Sequence, residues 1–155
     1  MSAALICRSM ITAVKAIDPL LHGDLRFTEH DSSVGFAEFC ERNPGAVRRR
    51  VFIRGDGTFE LDTSTADKEY GWTTIQAAVA YPRDWFAGPE RGNDLDALIE
   101  SDMKQIEHTI GINGYPRLEQ AVDGCVSEST PTREEGDACI YGLLTMRVGY
   151  WRAVQ

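Results

Sequence analysis

The residues able to do chemistry are few and scattered. The three histidines, His22, His30 and His108, stand far apart, and the four cysteines, Cys7, Cys40, Cys125 and Cys139, are widely spaced with no CxxC pair. Such spacing makes neither a zinc site nor a disulfide framework; it reads as reduced thiols. His30-Asp31 with Cys40 nearby has the residue types of a base and a nucleophile. The spacing fits no recognised geometry, and solvated loop residues are the simpler reading. No GxxxxGK[ST], GxGxxG, HExxH or GxSxG occurs, so phosphate cradles and the common nucleophile elbows are not signalled. Arg54-Gly55-Asp56 spells a cell-adhesion tripeptide, but Asp56-Gly57 is what a tight hairpin tip needs. Residue types and spacing therefore lead to no expected catalytic group, cofactor or metal.

Three features stand above this background. Arg48, Arg49 and Arg50 sit together at a strand start and, with Arg54, put four positive charges into a chain of formal net charge −8. They read either as charge guarding an edge strand or as a patch for an acidic partner. Trp85 and Phe86 lie in a loop between Pro82 and Pro89 with little secondary structure to shelter them. An interface anchor is the expectation, and folding back on the core is the alternative. Asp102 falls at the edge of an apolar helical stripe, where a charge usually just marks the boundary.

The elements that must carry these residues follow from periodicity. The stretch 70–111 reads as an alternating strand, a loop and a helix. Thr73, Ile75, Ala77, Val79 and Tyr81 share one strand face, and Trp72, Thr74, Gln76, Ala78 and Ala80 the other. Pro82 ends the strand, because proline cannot donate to a ladder. The helix opens at Asn93 or Asp94, runs Leu95, Leu98, Ile99, Met103, Ile106 and Ile110 down one face, and stops at Gly111. Upstream, Ser2 caps a first helix over 3–17, and a short strand is expected at 24–28. Residues 29–45 are loop with a partial helical turn at 36–40. A second strand follows Pro44, with Asp56-Gly57 as a hairpin tip and 58–61 returning. Downstream, a strand at 121–127, a polar turn at 128–137 and a closing strand from Cys139 to Val154 complete the chain. These elements predict an α+β domain: a mostly antiparallel (mixed) sheet with two helices packed on one face, a two-layer sandwich.

The totals fit one domain spanning 1–155, with 43% hydrophobic and 26% charged residues. No run is long enough to cross a membrane, and residues 3–17, which include Arg8 and Lys15, do not read as a signal peptide. The acidic balance argues against a surface that grips nucleic acid irrespective of sequence.

The order of elements resembles the lambda-like tail terminator family of long-tailed phages. The likeness rests on the N-terminal helix, the strand at 47–54 after Pro44, and the acidic excursion at 55–69. It continues through WTTIQAAVAYP, the helix LDALIESDMKQI and the closing GDACIYGLLTMRVGYW, and so covers most of 3–151. The loop 83–93 is longer than the family's usual connection. The resemblance implies a structural virion protein with no reaction to catalyse and no cofactor. It implies a hexameric ring of identical subunits that caps the tail tube, stops its polymerisation and offers a surface to the head-tail connector. Its partners would be further copies, the tail tube protein and neck proteins, with DNA passing through the lumen unbound and no membrane. Its place would be the virion tail or neck, after assembly in the bacterial cytoplasm. For such a ring, Arg48, Arg49, Arg50 and Arg54 are the expected basic contact and Asp56, Glu60 and Asp62 the acidic one, with Trp85 and Phe86 as anchors. The alternatives are another neck or head-completion protein, or a small enzyme or ligand-binding domain.

Overall fold

Ser2 opens the fold as expected: its Oγ accepts the Leu5 N–H at 3.3 Å and starts helix α1 (Ala3–Lys15), which buries Ile6, Cys7, Met10, Ile11 and Val14. The computed structural model describes residues 2–18, 26–85, 92–110 and 124–154. After α1 come β1 (Thr28–Glu29), α2 (Phe36–Arg42), a single 3-10 turn at Pro44–Ala46, β2 (Arg50–Gly55) and β3 (Glu60–Ser64). The long β4 (Lys68–Pro82), α3 (Gly92–Ile110), β5 (Gly124–Glu135) and β6 (Cys139–Ala153) follow.

The six strands form one sheet in the order β1-β2-β4-β6-β5, with β3 also paired to β4. Only β1 and β2 run parallel; the other pairs are antiparallel. The protein is thus an α+β domain on a mixed, mostly antiparallel sheet. One face carries α1 and α3. The alternation in β4 turns Ile75, Ala77, Val79 and Tyr81 to that face, where Leu144, Met146, Val148 and Tyr150 of β6 join them. All six apolar residues of the α3 stripe are buried there. At Gly142 the helix lies so close that an added Cβ would come within 2.9 Å of Met103 Cε.

Three details differ from the sequence reading. The helices are not all on one face: α2 covers the opposite side, over a small cluster of Cys40, Val47, Ala80, Cys139 and Tyr141. Seven residues are too few for a periodic stripe to show in the sequence. Asp56-Gly57 is not the hairpin tip. β2 and β3 lie end to end along the same edge of β4, and the hairpin turns instead between Ser64 and Lys68. Between them Gly57 takes φ +82°, and Asp56 accepts the Thr58 N–H at 3.0 Å, so the chain jogs and resumes its course. Finally, the polar stretch 128–137 is mostly strand, since β5 continues to Glu135 and turns only at 136–138. β5 is the last strand of the sheet, so polar residues and even Pro131 are tolerated. Residues 121–123, part of the strand expected at 121–127, lie outside the described residues.

Glu41 ties α2 to the β5–β6 turn. Its carboxylate accepts the Ala138 N–H at 3.1 Å and the Tyr141 hydroxyl at 3.0 Å. Burial alone would push this carboxyl up, but those donors, with further backbone N–H groups, hold it below its ordinary value. Cys7, Cys40 and Cys139 are free and buried; the Cys125 side chain lies outside the described residues.

Candidate interaction surface

The arginine run divides between the two faces of the sheet instead of forming one patch. Arg49 is wholly buried. It is the one described non-glycine residue with a positive φ, 56°. Arg49 keeps the parity of core-facing Val51 and Ile53 and points under α3, while its neighbour Arg50 points under α2; the left-handed step instead sends Val47, before it, to the α2 side. Arg49 Nε donates to Asp102 Oδ2 at 2.9 Å and Nη2 donates to Oδ1. The Tyr81 hydroxyl donates to Asp102 Oδ2 at 2.8 Å, and the guanidinium lies 4.7 Å from the Phe27 ring centroid. Burial, then the negative Asp102 beside it, lifts the Tyr81 hydroxyl well above its ordinary pKa. A buried charge needs such complete pairing to be tolerated. Arg49 is therefore corrected from contact residue to core, and Asp102, which has no exposure, from stripe boundary to the arginine's counter-charge.

Arg50 is also withdrawn from the surface. It donates to His30 Nδ1 at 2.9 Å and Asp31 Oδ1 at 3.1 Å, and lies 4.1 Å over Phe39. His30-Asp31 thus serves to seat an arginine, and the Cys40 thiol is buried and pushed by that burial up to about 11. Trp85 folds back on the domain. Its ring stacks on Tyr81 at 6.4 Å between centroids, and exposed Arg48 lies 5.4 Å from its centroid. The anchor expected at Trp85 is corrected to packing; Phe86 lies outside the described residues.

What stays at the surface is the far end of the long hairpin. Glu60 and Asp62 are exposed on β3, Asp62 at a bulge, beside Leu61, which is 56% exposed. Asp56 is used locally. Hydrogen bonds from the Thr58 hydroxyl and N–H hold its carboxyl below the usual range. Behind the hairpin, on the face that α2 leaves open, Tyr70 lies 5.6 Å from Trp72 and 5.2 Å from Trp151, ring centroid to centroid. Arg147 sits 4.7 Å over Trp72 and 3.8 Å from Glu60. This half-buried aromatic patch was not singled out from the sequence. Its signal was there in the alternation, which puts Trp72 on the face opposite the core and Trp151 on the Arg147 side of β6.

Arg54 keeps its expected exposure. It lies 5.9 Å over Phe52 and, among the described residues, has no carboxylate partner. Beside it a groove runs between α1 and the outer side of β2, lined by Ala3, Cys7, Arg8, Ile53 and Gly55 among others. The described residues contain no cluster of three or more His, Cys, Asp and Glu able to hold a metal, and no helix long and apolar enough to cross a membrane. No known protein-family model matches the chain, and no curated protein matches it.

Proposed function

We propose that this chain is a ring-forming tail terminator of a long-tailed phage, which caps the tail tube, stops its growth and presents a surface to the head-tail connector. The observation that carries the reading is the order of elements. α1 comes first, Pro44 precedes β2, and an acidic hairpin, β3–β4, follows. β4 then ends at Pro82, α3 packs back on the sheet, and β6 closes the chain after the turn at 136–138. The architecture suits the task. A tube grows by stacking identical rings, each offering the next the same surface, so a stop requires a ring whose two faces differ. Here the β3–β4 hairpin extends one end of the sheet, and the turns at Pro82 and 136–138 form the other. The net charge of −8 also suits a lumen from which DNA phosphates are repelled.

Deleting the gene from a phage that carries it tests the reading. Negative-stain micrographs of the lysate should show filled heads apart from tails, with tails abnormally long or unable to join. Normal-length tails joined to heads would refute the proposal. Unstable heads beside normal free tails would assign the chain to head completion.

A further inference from the structure

The two ends of the sheet are free edges of unlike character. At one end β1 covers only the first part of β2: Thr28 pairs with Arg50 and Glu29 with Val51, and the next residue, His30, donates its N–H to the Val51 carbonyl at 2.9 Å. Residues 52–55 have no neighbour on that outer side among the described strands. Their hydrogen-bonding direction is fixed. Asp56 donates to Thr74 at 3.0 Å, so even-numbered residues turn their backbone groups inward to β4. Ile53 and Gly55 therefore face theirs away from β4, the Gly55 N–H toward the Cys7 sulfur of α1. At the other end of the sheet β5 has no outer neighbour among the described strands. Gly136 donates to Cys139 at 2.9 Å, which turns even residues inward again and leaves 131, 133 and 135 facing out. Pro131 has no N–H to offer and the ladder is irregular between Val126 and Glu128, so 132–135 before the turn is the longest regular stretch of this edge beyond the irregularity. Two open four-residue segments thus match in length.

We propose that the outer edge of β5 in one copy pairs with the outer edge of β2 in the next, so that the sheet continues from subunit to subunit around the ring. The inference rests on the ring reading above. Within one copy β2 and β5 run antiparallel, being separated by three antiparallel pairings. A rotation about an axis along the strands preserves their directions, so the joint is antiparallel. The register then follows from the backbone. The outward groups of Ile53 and Gly55 must meet those of Glu135 and Arg133, which sets Arg54 directly opposite Glu134. That position is the closely spaced kind of antiparallel pair, with Cα atoms about 4.5 Å apart. Arg54 and Glu134 both lie on the α2 side of the sheet, both are exposed, and neither has an ion-pair partner among the described residues. The incoming strand would lie in the groove beside α1, whose wall carries Arg8, also exposed and without a described carboxylate partner.

Charge exchange tests the joint. Size-exclusion chromatography with light scattering is run on the purified full chain across a concentration series with magnesium, and on a sample with tail tube protein. Arg54→Glu alone and Glu134→Arg alone should each raise the concentration needed for assembly by about tenfold per joint, since each puts like charges opposite. Mixing the two variants in equal amounts should restore rings, because every joint in an alternating ring is again a mixed pair. Arg133→Pro removes an outward N–H together with the ion pairs of Arg133 to Asp96 and Glu135, so Arg133→Ala, which loses only the ion pairs, is its control: assembly should be lost in the proline variant and kept in the alanine one at equal melting points. Rings that form as readily in both charge variants and the proline variant would overturn the joint and leave the ring reading standing. A wild-type chain that forms no ring in any of these conditions would overturn both.

Discussion

Replacing Asp102 by alanine is the most demanding test of the internal design. Asp102 and Arg49 both have no solvent exposure, and the carboxylate accepts two hydrogen bonds from the guanidinium and one from Tyr81. At an effective dielectric of about 20, charges about 4 Å apart attract by roughly 4 kcal/mol. Alanine removes that attraction and leaves the arginine charged, dry and short of acceptors, a change that costs about 3–5 kcal/mol. Against a total stability of about 5–15 kcal/mol this is a large share. In urea, with a slope of about 2 kcal/mol per molar, the unfolding midpoint should fall by roughly 2 M without a change of slope. The double variant Arg49→Met with Asp102→Leu supplies the control. It removes both charges and refills the space, and should lie close to wild type, because two buried charges recover little beyond their own desolvation. A shift below about 0.5 M for Asp102→Ala would refute the reasoning, since it would mean that water reaches the pair or that Arg49 swings out at little cost.

Trp85→Ala should lower monomer stability by about 2 kcal/mol, because the ring packs on Tyr81; an unchanged melting point with weakened assembly would return it to the interface. Alkaline stability should fall as pH rises above 9. Burial pushes Cys40 up to about 11 and Cys139 up to about 12, so both thiols stay neutral in the fold while they ionise once unfolded. Urea midpoints at pH 7, 9 and 10.5 measure the fall, and Cys40→Ala with Cys139→Ala should flatten it. Gly71→Ala should cost more than Gly142→Ala, and paired thermal melts decide the order. The new Cβ at 71 would lie 2.6 Å from the Glu60 backbone oxygen, whereas at 142 its close contacts are to the flexible tip of Met103, with Ile99 Cγ2 at an ordinary 3.4 Å.

Long elements with one clean period were legible from the sequence. The α3 stripe and the core face of β4 emerged residue for residue, because each buries one side along most of its length. Where an element is short or lies at an edge, that link weakens. α2 buries only Cys40 outright, and β5 exposes most of its described side chains, so composition made one a loop and the other a turn. Arg49 was misread for a different reason. Its parity with Val51 and Ile53 places it on the core face, but a charged side chain is almost never fully buried unless paired, so composition outweighed the alternation. Its partner is 53 positions away, and a lone carboxylate beside an apolar stripe gives no hint of where its counter-charge comes from. Trp85 shows the same limit, because the shelter it finds on Tyr81 is made by tertiary packing rather than by its own loop.

The unlike edges of the sheet also bear on which assembly the chain can form. If two β2 edges met about a two-fold axis, in the register that centres the pair on Arg54, that arginine would face its own copy across the joint. Two β5 edges centred on Glu134 would likewise set carboxylate against carboxylate, with Pro131 withholding an N–H from each strand. Like charges directly opposite on neighbouring strands are destabilising, and a missing donor shortens the ladder. β3, the remaining stretch of edge, carries a bulge at Asp62 and the exposed carboxylates of Glu60 and Asp62, devices that discourage strand addition. Each end of the sheet therefore disfavours its own kind, while the mixed joint alone sets Arg54 against Glu134 and avoids the proline. Joining unlike ends is heterologous, and it closes into a ring when the rotation per subunit divides a full turn. The same three features, one arginine, one glutamate and one proline, thus disfavour the two-fold dimer and permit the head-to-tail ring that the proposed function needs.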